Sequence, residues 1–528
     1  MSKRALALNN PASQGLQALF REHEQAKEKR RKAQAVNSLD DLKSLLRETG
    51  ENWREQHKET KKKDGQEVEI IHRVPARKIA NILEKVVKFA VIGDNEKDID
   101  TAPLTFYNPT TGLYTRSERL INNLILSVDN TTNKRARSDI REWLRIEAPA
   151  RSIEKNINLV PVGNGIYNKD TKELMQFNSK YVFTSKVATD YIKENIQEPN
   201  YNGWNFTKWL DELADGSKEK RTLLWQLVAS VIQNKRTSNV LFCLIDNGQG
   251  RTGKSTFEQL LMNLVGKGNY TALKLEQFDH PFLLAQAYGA SLIIGDDNDP
   301  RGYIDNGSTL KSIATNELVL INPKGQQPFS AKFYCTIVQS MNGFPRFKDT
   351  TGGLYRRFRL IKFNHQYPDT ASGRLVKDRY IKNEQLLRWI LKKALTINID
   401  TIANTAESQA AVDELQLEND TVLSFVKEVV PDLESSRMPI SLLFAIYRKY
   451  TDDSNNSNRM TRATFTRRIR PLMIERGWTY RVAKPGRYMI EEDIERLKGE
   501  KLYNYNSYRK NDHKAQRCFI KQELHQLH

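Results

Sequence analysis

A multidomain α/β protein is predicted by three features of this sequence: its length, a hydrophobic period that changes along the chain, and a glycine-lysine loop between an apolar strand and an amphipathic helix. At roughly 100 to 200 residues per domain, the 528 residues imply several domains and exclude one small binding module. The loop reads Gly248-Gln249-Gly250-Arg251-Thr252-Gly253-Lys254-Ser255, with SNVLFCLID before it and TFEQLLMNLV after it. Further apolar runs, ASLIIGDDND and KFYCTIVQSMN, alternate with helical patterns and predict a mostly parallel sheet covered on both faces over residues 236–375.

The other segments follow in order. Residues 1–70 carry charge runs such as REHEQAKEKRRK beside a short leucine period, which predicts a helical arm or tether. Residues 71–158 alternate helix-like RKIANILEKVVKFA with turn-rich TFYNPTTGLYT and predict a small α/β domain. Residues 159–235 begin with turn signals at Asn164-Gly165 and Asp170-Thr171, hence a pair of hairpins. They continue into WNFTKWLDELA and TLLWQLVASVI, whose apolar residues recur at spacings of three and four. Such helices form either core or an oligomerisation collar. A helix and linker over 376–419, a compact basic unit over 420–490 and a basic tail over 491–528 complete the chain.

An excess of 83 Lys+Arg over 64 Asp+Glu, net +19, favours a polyanionic partner, and nucleic acid fits that charge best. The three cysteines, Cys243, Cys335 and Cys518, form no CxxC pair, which excludes a disulfide framework and a cysteine-rich zinc site. A reducing, cytoplasmic setting is expected. No apolar run approaches the roughly 18 residues of a membrane span, so no membrane partner is expected.

Phosphate oxygens need many donors at close range. A glycine loop can curl its N–H groups around them, and the following helix adds its positive end. Gly248, Gln249, Gly250, Arg251, Thr252, Gly253, Lys254, Ser255 and Thr256 are therefore expected to bind ATP, with Lys254 on the β- and γ-phosphates and Ser255 on Mg²⁺. A strand ending in Asp296 and Asp297 supplies a metal ligand, Asp296, and a residue to orient or deprotonate water, Asp297. Asn342, at the end of TIVQSM, is expected to sense the γ-phosphate. Arg357, with Arg356 as second choice, is expected to reach a neighbouring subunit's phosphate.

In this order the motifs resemble superfamily 3 helicases, in the branch of phages, plasmids, mobile islands and large DNA viruses related to poxvirus-type primase-helicases. The resemblance rests on the phosphate loop, the acids after Ile294-Gly295, Lys311-Ser312-Ile313-Ala314-Thr315 with Lys324, the Asn342 segment and the Arg356-Arg357 segment. Residues 160–235 and 420–490 are similar to that branch's pre-motor domain and C-terminal winged helix. Thr252 stands where the family commonly has asparagine, and Asp297 where it often has glutamate. The resemblance implies an AAA+ ring ATPase, usually a hexamer, that translocates on one DNA strand and initiates replication. Residues 1–150 lack the cysteine cluster or carboxylate set of a primase, so a primase is expected as a partner and not in this chain. An ATP-switched DNA-binding loader or regulator is the alternative.

Two DNA contacts are expected. Pro323-Lys324-Gly325 reads as a hairpin tip, and in the family such a hairpin enters the ring channel. Between Arg459 and Arg487 there are nine basic residues and one acid. With Phe465, Ile469 and Leu472 turned inward, Arg467, Arg468 and Arg470 would face duplex origin DNA. Lys484 and Arg487 would sit on a wing hairpin beside it.

Overall fold

A computed structural model describes residues 36–522 except 64–65, 94–95, 234–238, 247–249, 300–301, 305–306, 326, 348–351, 454–459 and 501–503. The chain forms two compact units. The first holds residues up to 302, then 306–345 and 357–405; the second holds 303–305, 346–356 and 406 onward.

The first unit opens with α1 (Leu39–Gln56). Its N-terminus is closed by a reciprocal cap: the Ser38 hydroxyl accepts from the Asp41 N–H at 3.0 Å, and the Asp41 carboxylate accepts from the Ser38 N–H at 3.0 Å. Leu42 and Leu46 are buried with Leu83, Phe106, Leu124 and Leu144. This part of the expected arm or tether is thus core: its leucines lie one turn apart on a single face, and charge covers only the other. α2 (Ala76–Val86), α3 (Glu118–Val128) and α4 (Lys134–Glu147) complete that core over a four-stranded sheet. Its strands β1 (Phe89–Ile92), β2 (Leu104–Asn108), β3 (Leu113–Thr115) and β4 (Ala150–Arg151) lie in the order β3-β2-β1-β4.

A meander of β5 (Leu159–Val162), β6 (Gly165–Asn168) and β7 (Glu173–Met175) supplies the two expected hairpins. Next come α5 (Phe206–Leu213) and α6 (Lys218–Ile232). Trp209, Leu210, Leu224 and Val228 are buried in one continuous cluster with Phe242, Phe257, Val338 and Ile390. No packing boundary therefore separates these helices from the sheet that follows.

That sheet is wholly parallel. Its strands are β8 (Leu241–Ile245), β9 (Tyr270–Ala272), β10 (Leu292–Asn298), then, beyond the hairpin strands β11 (Val319–Ile321) and β12 (Phe329–Ala331), β13 (Thr336–Met341) and, later, β14 (Phe358–Lys362). The order is β9-β10-β13-β8-β14. Strands buried on both faces must be apolar almost throughout, which is why LFCLI and TIVQSM lack polar alternation. The helix α7 (Lys254–Val265) crosses from β8, α8 (Pro281–Ala287) precedes β10, and α9 (Ala371–Asp378) and α10 (Glu384–Ala394) follow the last strand.

The second unit begins its main segment at Ala406, so the 376–419 region read as helix and linker is divided between the two units. It contains α11 (Ala406–Asn419), α12 (Thr421–Glu428), α13 (Ile440–Asp453) and α14 (Arg462–Glu475). Three antiparallel strands, β15 (Arg437–Pro439), β16 (Trp478–Ala483) and β17 (Gln516–Lys521), pair in the order β15-β17-β16. Phe425, Tyr447, Phe465, Ile469, Met473 and Phe519 form the core. Two expectations change here. The wing does not turn back at Lys484-Pro485-Gly486-Arg487: Pro485 takes helical angles and starts a short 3₁₀ turn, Gly486–Tyr488. The strand pairing with β16 is β17, which comes from the supposed basic tail.

Candidate active site

In a parallel sheet the strand C-termini share one edge, the usual place for a ligand in open α/β folds. Here β8 ends opposite β13, with Ile245 beside Met341, and Gly295 of β10 beside Gln339. Asp246, the phosphate loop, the acids and Asn342 are thereby gathered around a cleft of about 450 Å³. It is lined by Gly250, Arg251, Thr252, Gly253, Lys254, Ser255, Thr256, Asp296, Asp297, Asn342 and Lys377 of α9. Gly248 and Gln249 lie outside the described residues.

The loop enters α7 through Gly253, at φ 85°. A Cβ there would be strained and would come within 2.8 Å of Leu213 Cδ2, so glycine is required on two counts. Thr252 is buried, and its hydroxyl donates to Asp246 Oδ2 at 3.2 Å. Lys254 Nζ lies 2.8 Å from Asn342 Oδ1, 3.2 Å from the Met341 carbonyl and 3.4 Å from Asp246 Oδ2. The expected sensor amide thus touches the expected phosphate lysine.

The acids sit on a β-bulge between Gly295 and Asn298, where Asp297 adopts φ 54°. A bulge re-aims side chains, and both Asp296 and Asp297 are exposed to the cleft. The bulge is clamped by buried Asn298, whose Nδ2 donates to the Gly295 and Ser340 carbonyls and to Gln339 Oε1. Gly295 has no room for a side chain, since a Cβ would fall 2.0 Å from Gln339 Oε1. Ser340 Oγ donates to Asp296 Oδ1 at 2.7 Å and orients it.

Four contributors were not singled out in the sequence: Asp246, Glu258, Ser340 and the Asn298–Gln339 clamp. Asp246 carried a signal, an acid ending the strand before the loop. Ser340 and Gln339 did not, because a polar residue inside an apolar strand names no partner. Glu258, one turn after Lys254, is 3 % exposed, and its Oε1 has no hydrogen-bond partner among the described residues. Burial pushes its carboxyl up to about 8; the Asp296 charge adds to this, while Ser340 and Lys254 oppose it.

A second cavity of about 570 Å³ shares Arg251, Gly253, Thr256 and Lys377 with the phosphate-loop cleft and is walled by Trp204, Trp209, Tyr367 and Tyr380. The Tyr367 hydroxyl donates to Glu212 Oε2 at 3.1 Å. Together the two cavities offer a cation, hydroxyl and carboxylates at one end and aromatic faces at the other, the chemistry that a nucleoside polyphosphate and a divalent cation require.

Residues 18–215 match the family described as D5 N terminal like, and residues 417–511 match the Poxvirus D5 protein-like family. These two matched segments lie on either side of the phosphate loop. Residues 247–357 match a family of unknown function, DUF5906. Among solved structures, the apo A form of the NrS-1 C-terminal region is similar to this chain at 13% identity and TM-score 0.45, over 84% of this chain and 99% of that one. A second apo structure, NrS-1 residues 305–718, gives 14% and 0.44 over 77% and 95%.

The remaining predicted residues do not line this cleft. Arg357 immediately precedes β14, and its carbonyl accepts from the Leu241 N–H at the N-terminal end of β8. The phosphate loop leaves the other end of β8, about five residues or roughly 16 Å away at 3.3 Å per residue, so Arg357 stands at the opposite end of that strand from its own chain's cleft. Arg356 is exposed and belongs to the second unit. The expected hairpin is present: β11 and β12 pair with Ile321 opposite Phe329, and exposed Lys324 stands at the turn.

On α14, Phe465 and Ile469 face inward as expected, with Met473 buried where Leu472 was expected. Arg467 and Arg470 are exposed, and Arg470 lies over the Tyr480 ring. Arg468 departs from expectation: it pairs with Asp420 at 2.8 Å, because Asp420 caps α12 and needs a cation once its carboxylate is largely buried. Lys484 and Arg487 are exposed, on the segment entering the 3₁₀ turn. Among the described residues no helix is long and apolar enough to cross a membrane.

Proposed function

We propose that this chain is an ATP-dependent replicative DNA helicase and origin-binding initiator, an AAA+ motor of superfamily 3 type acting as a homo-oligomeric ring, hexameric by family resemblance. The observation that carries the reading is the meeting of Lys254 with Asn342 at 2.8 Å in the cleft that also presents Ser255, Asp296 and Asp297. The D5-like matches on both flanks support a replication role. In this reading Lys254 neutralises the β- and γ-phosphates and Asn342 bonds the γ-phosphate. Mg²⁺, held by Ser255 and Asp296, would neutralise charge across the same phosphates. Asp297 orients a water and takes its proton. The water oxygen bonds to the γ-phosphorus as the bond to the bridging oxygen breaks, and ADP departs with that electron pair.

Arg357 stands at the opposite sheet edge from its own cleft, which supports action on a neighbouring subunit. Single-stranded DNA would pass Lys324 in the channel, and α14 would approach duplex origin DNA through the exposed Arg467 and Arg470. ATP turnover and strand displacement on a forked duplex test the reading. Hydrolysis stimulated by DNA together with displacement is expected. Slow hydrolysis with no displacement would favour the ATP-switched loader or regulator, and no nucleotide binding would end both.

A further inference from the structure

Charged side chains out of bulk water are ordinarily paired with a counter-charge. Against that rule, a cleft of about 600 Å³ in the first unit, between the β2–β3 strands and the β9–α8 region, is lined by Arg116, Lys186 and Lys267, while none of its lining residues is Asp or Glu. Arg116 and Lys186 are half-buried and Lys267 is exposed. Arg116 donates to the Ala285 carbonyl at 2.9 Å and lies over the Tyr288 and Phe329 rings at 4.7 and 5.8 Å. Lys186 donates to the Gly163 carbonyl at 2.9 Å and lies over the Phe177 ring. Among the described residues, none of the three cations forms a salt bridge. The carboxylate acting on Lys186 from nearby, Asp190, is shared with Arg388 at 3.5 Å.

We propose that this cleft binds the phosphate backbone of a single-stranded nucleic acid, with Arg116, Lys186 and Lys267 as phosphate contacts and the partly exposed Tyr270 and Tyr288 as faces for its bases. Carbonyls and aromatic rings hold the two half-buried cations in place but leave their charge uncompensated, and an incoming phosphate supplies what the wall lacks. Burial lowers the pKa values of both Arg116 and Lys186, the direction expected of cations with no adequate counter-charge. A strand is favoured over a free nucleotide by continuity: Tyr288 packs edge-on against Phe329, 5.3 Å between centroids, and Phe329 begins the second strand of the Lys324 hairpin. Cations interleaved with aromatic faces are the means by which proteins hold single strands without reading sequence. The cleft thus gives the N-terminal domain a share in guiding the strand.

The ligand rests on the motor reading above, so the experiment is run on the full chain without ATP, where failure of that reading, seen in turnover, stays separate. Fluorescein-labelled oligo-dT is titrated by anisotropy over a range of salt. The triple variant Arg116→Gln/Lys186→Gln/Lys267→Gln is expected to lower the log–log salt slope by about 2, since each neutralised phosphate of a single strand contributes about 0.7. Lys267→Glu alone, on an exposed residue, is expected to weaken binding several-fold with an unchanged melting temperature, and Lys267→Arg is expected to retain it. Slopes and affinities equal to wild type in both the triple variant and Lys267→Glu would overturn the proposal. So would loss of dTMP binding in the triple variant with oligo-dT binding intact, which would reassign the cleft to a free nucleotide.

Discussion

Lys254, proposed from the sequence as a phosphate contact, also pairs with Asp246, a carboxylate 5 % exposed that accepts from the Thr252 hydroxyl at 3.2 Å. Removing the lysine therefore does two things. Lys254→Ala should abolish ATP turnover and also cost about 3 kcal/mol of stability, the scale for a buried charge that loses its partner. Adding Asp246→Asn should recover most of that stability, read from urea unfolding, and no phosphate release. Stability unchanged in the single variant would mean that Asp246 is satisfied without Lys254. Glu258 gives a second test at this scale. Its carboxyl, raised by burial to about 8 against an ordinary 4.5, keeps its proton in the folded chain where the unfolded chain has lost it. The stability tied to that proton is complete below about 4.5 and is lost as pH rises through about 8. Glu258→Gln, which has nothing to lose, should melt close to wild type at pH 5 and above it at pH 8.5, measured in EDTA. A melting difference constant across that range would exclude the titration. Glu258 itself was not legible: in TFEQLLMNLV it reads as an outward polar residue, and it is buried because α7 packs against the sheet, near Asp296 and Ser340.

At the scale of elements, strands and loops with local chemical signatures were legible, and partners distant in sequence were not. The β11–β12 hairpin follows from Pro-Lys-Gly between apolar pairs, and the central strands follow from their unbroken apolar runs. The bulge carrying Asp296 and Asp297 could not be foreseen, since it depends on Asn298 meeting Gln339 on a neighbouring strand. Parallel pairing has its own consequence: because β8 and β14 run the same way, Arg357 and the phosphate loop stand at opposite edges. Mixing Arg357→Ala chains with Lys254→Ala chains should then restore part of the ATPase activity that each lacks alone, since a mixed interface can unite an intact loop with an intact arginine. No recovery in mixed assemblies verified by mass would assign Arg357 a structural role. The arginines of α14 divide in the same way. Arg467→Ala/Arg470→Ala should reduce the salt slope for duplex DNA by about 2, at about 0.9 for each phosphate neutralised, with melting unchanged. Arg468→Ala should lower stability by about 1 kcal/mol through its tie to Asp420. The reverse pattern, in which only Arg468→Ala weakens DNA binding, would turn the helix over.

For the molecule as a whole, the order of segments was legible and their boundaries were not. Charge runs hid α1, whose leucines belong to a core, and a tail rich in Lys, Tyr and Asn hid β17. Both errors have one physical origin: composition averages over the two faces of an element, whereas burial concerns only one. The second unit also takes residues 303–305 and 346–356 from within the 236–375 region, and Phe347 and Tyr355 there are buried. Cutting the chain at Thr405 would strip those side chains of their surroundings, so origin preference is better tested by substitution. Arg467→Ala/Arg470→Ala/Lys484→Ala/Arg487→Ala should keep ATPase activity while losing the preference for origin over random duplex in competition binding. Undiminished preference would move the reading head elsewhere.

The strand order of the second unit bears on the time at which it can fold. β17 is the middle strand, flanked by β15 and β16, yet it is the last of the three to leave the ribosome. At roughly 5 to 20 residues per second, the stretch between Ala483 and Gln516 takes about two to six seconds to synthesise. For that interval β15 and β16 each present an open edge with nothing between them, a template for pairing with another nascent chain. Translation of this segment is therefore a window of vulnerability. A slow codon or a stalled ribosome there would lengthen the exposure without altering a single residue of the finished protein.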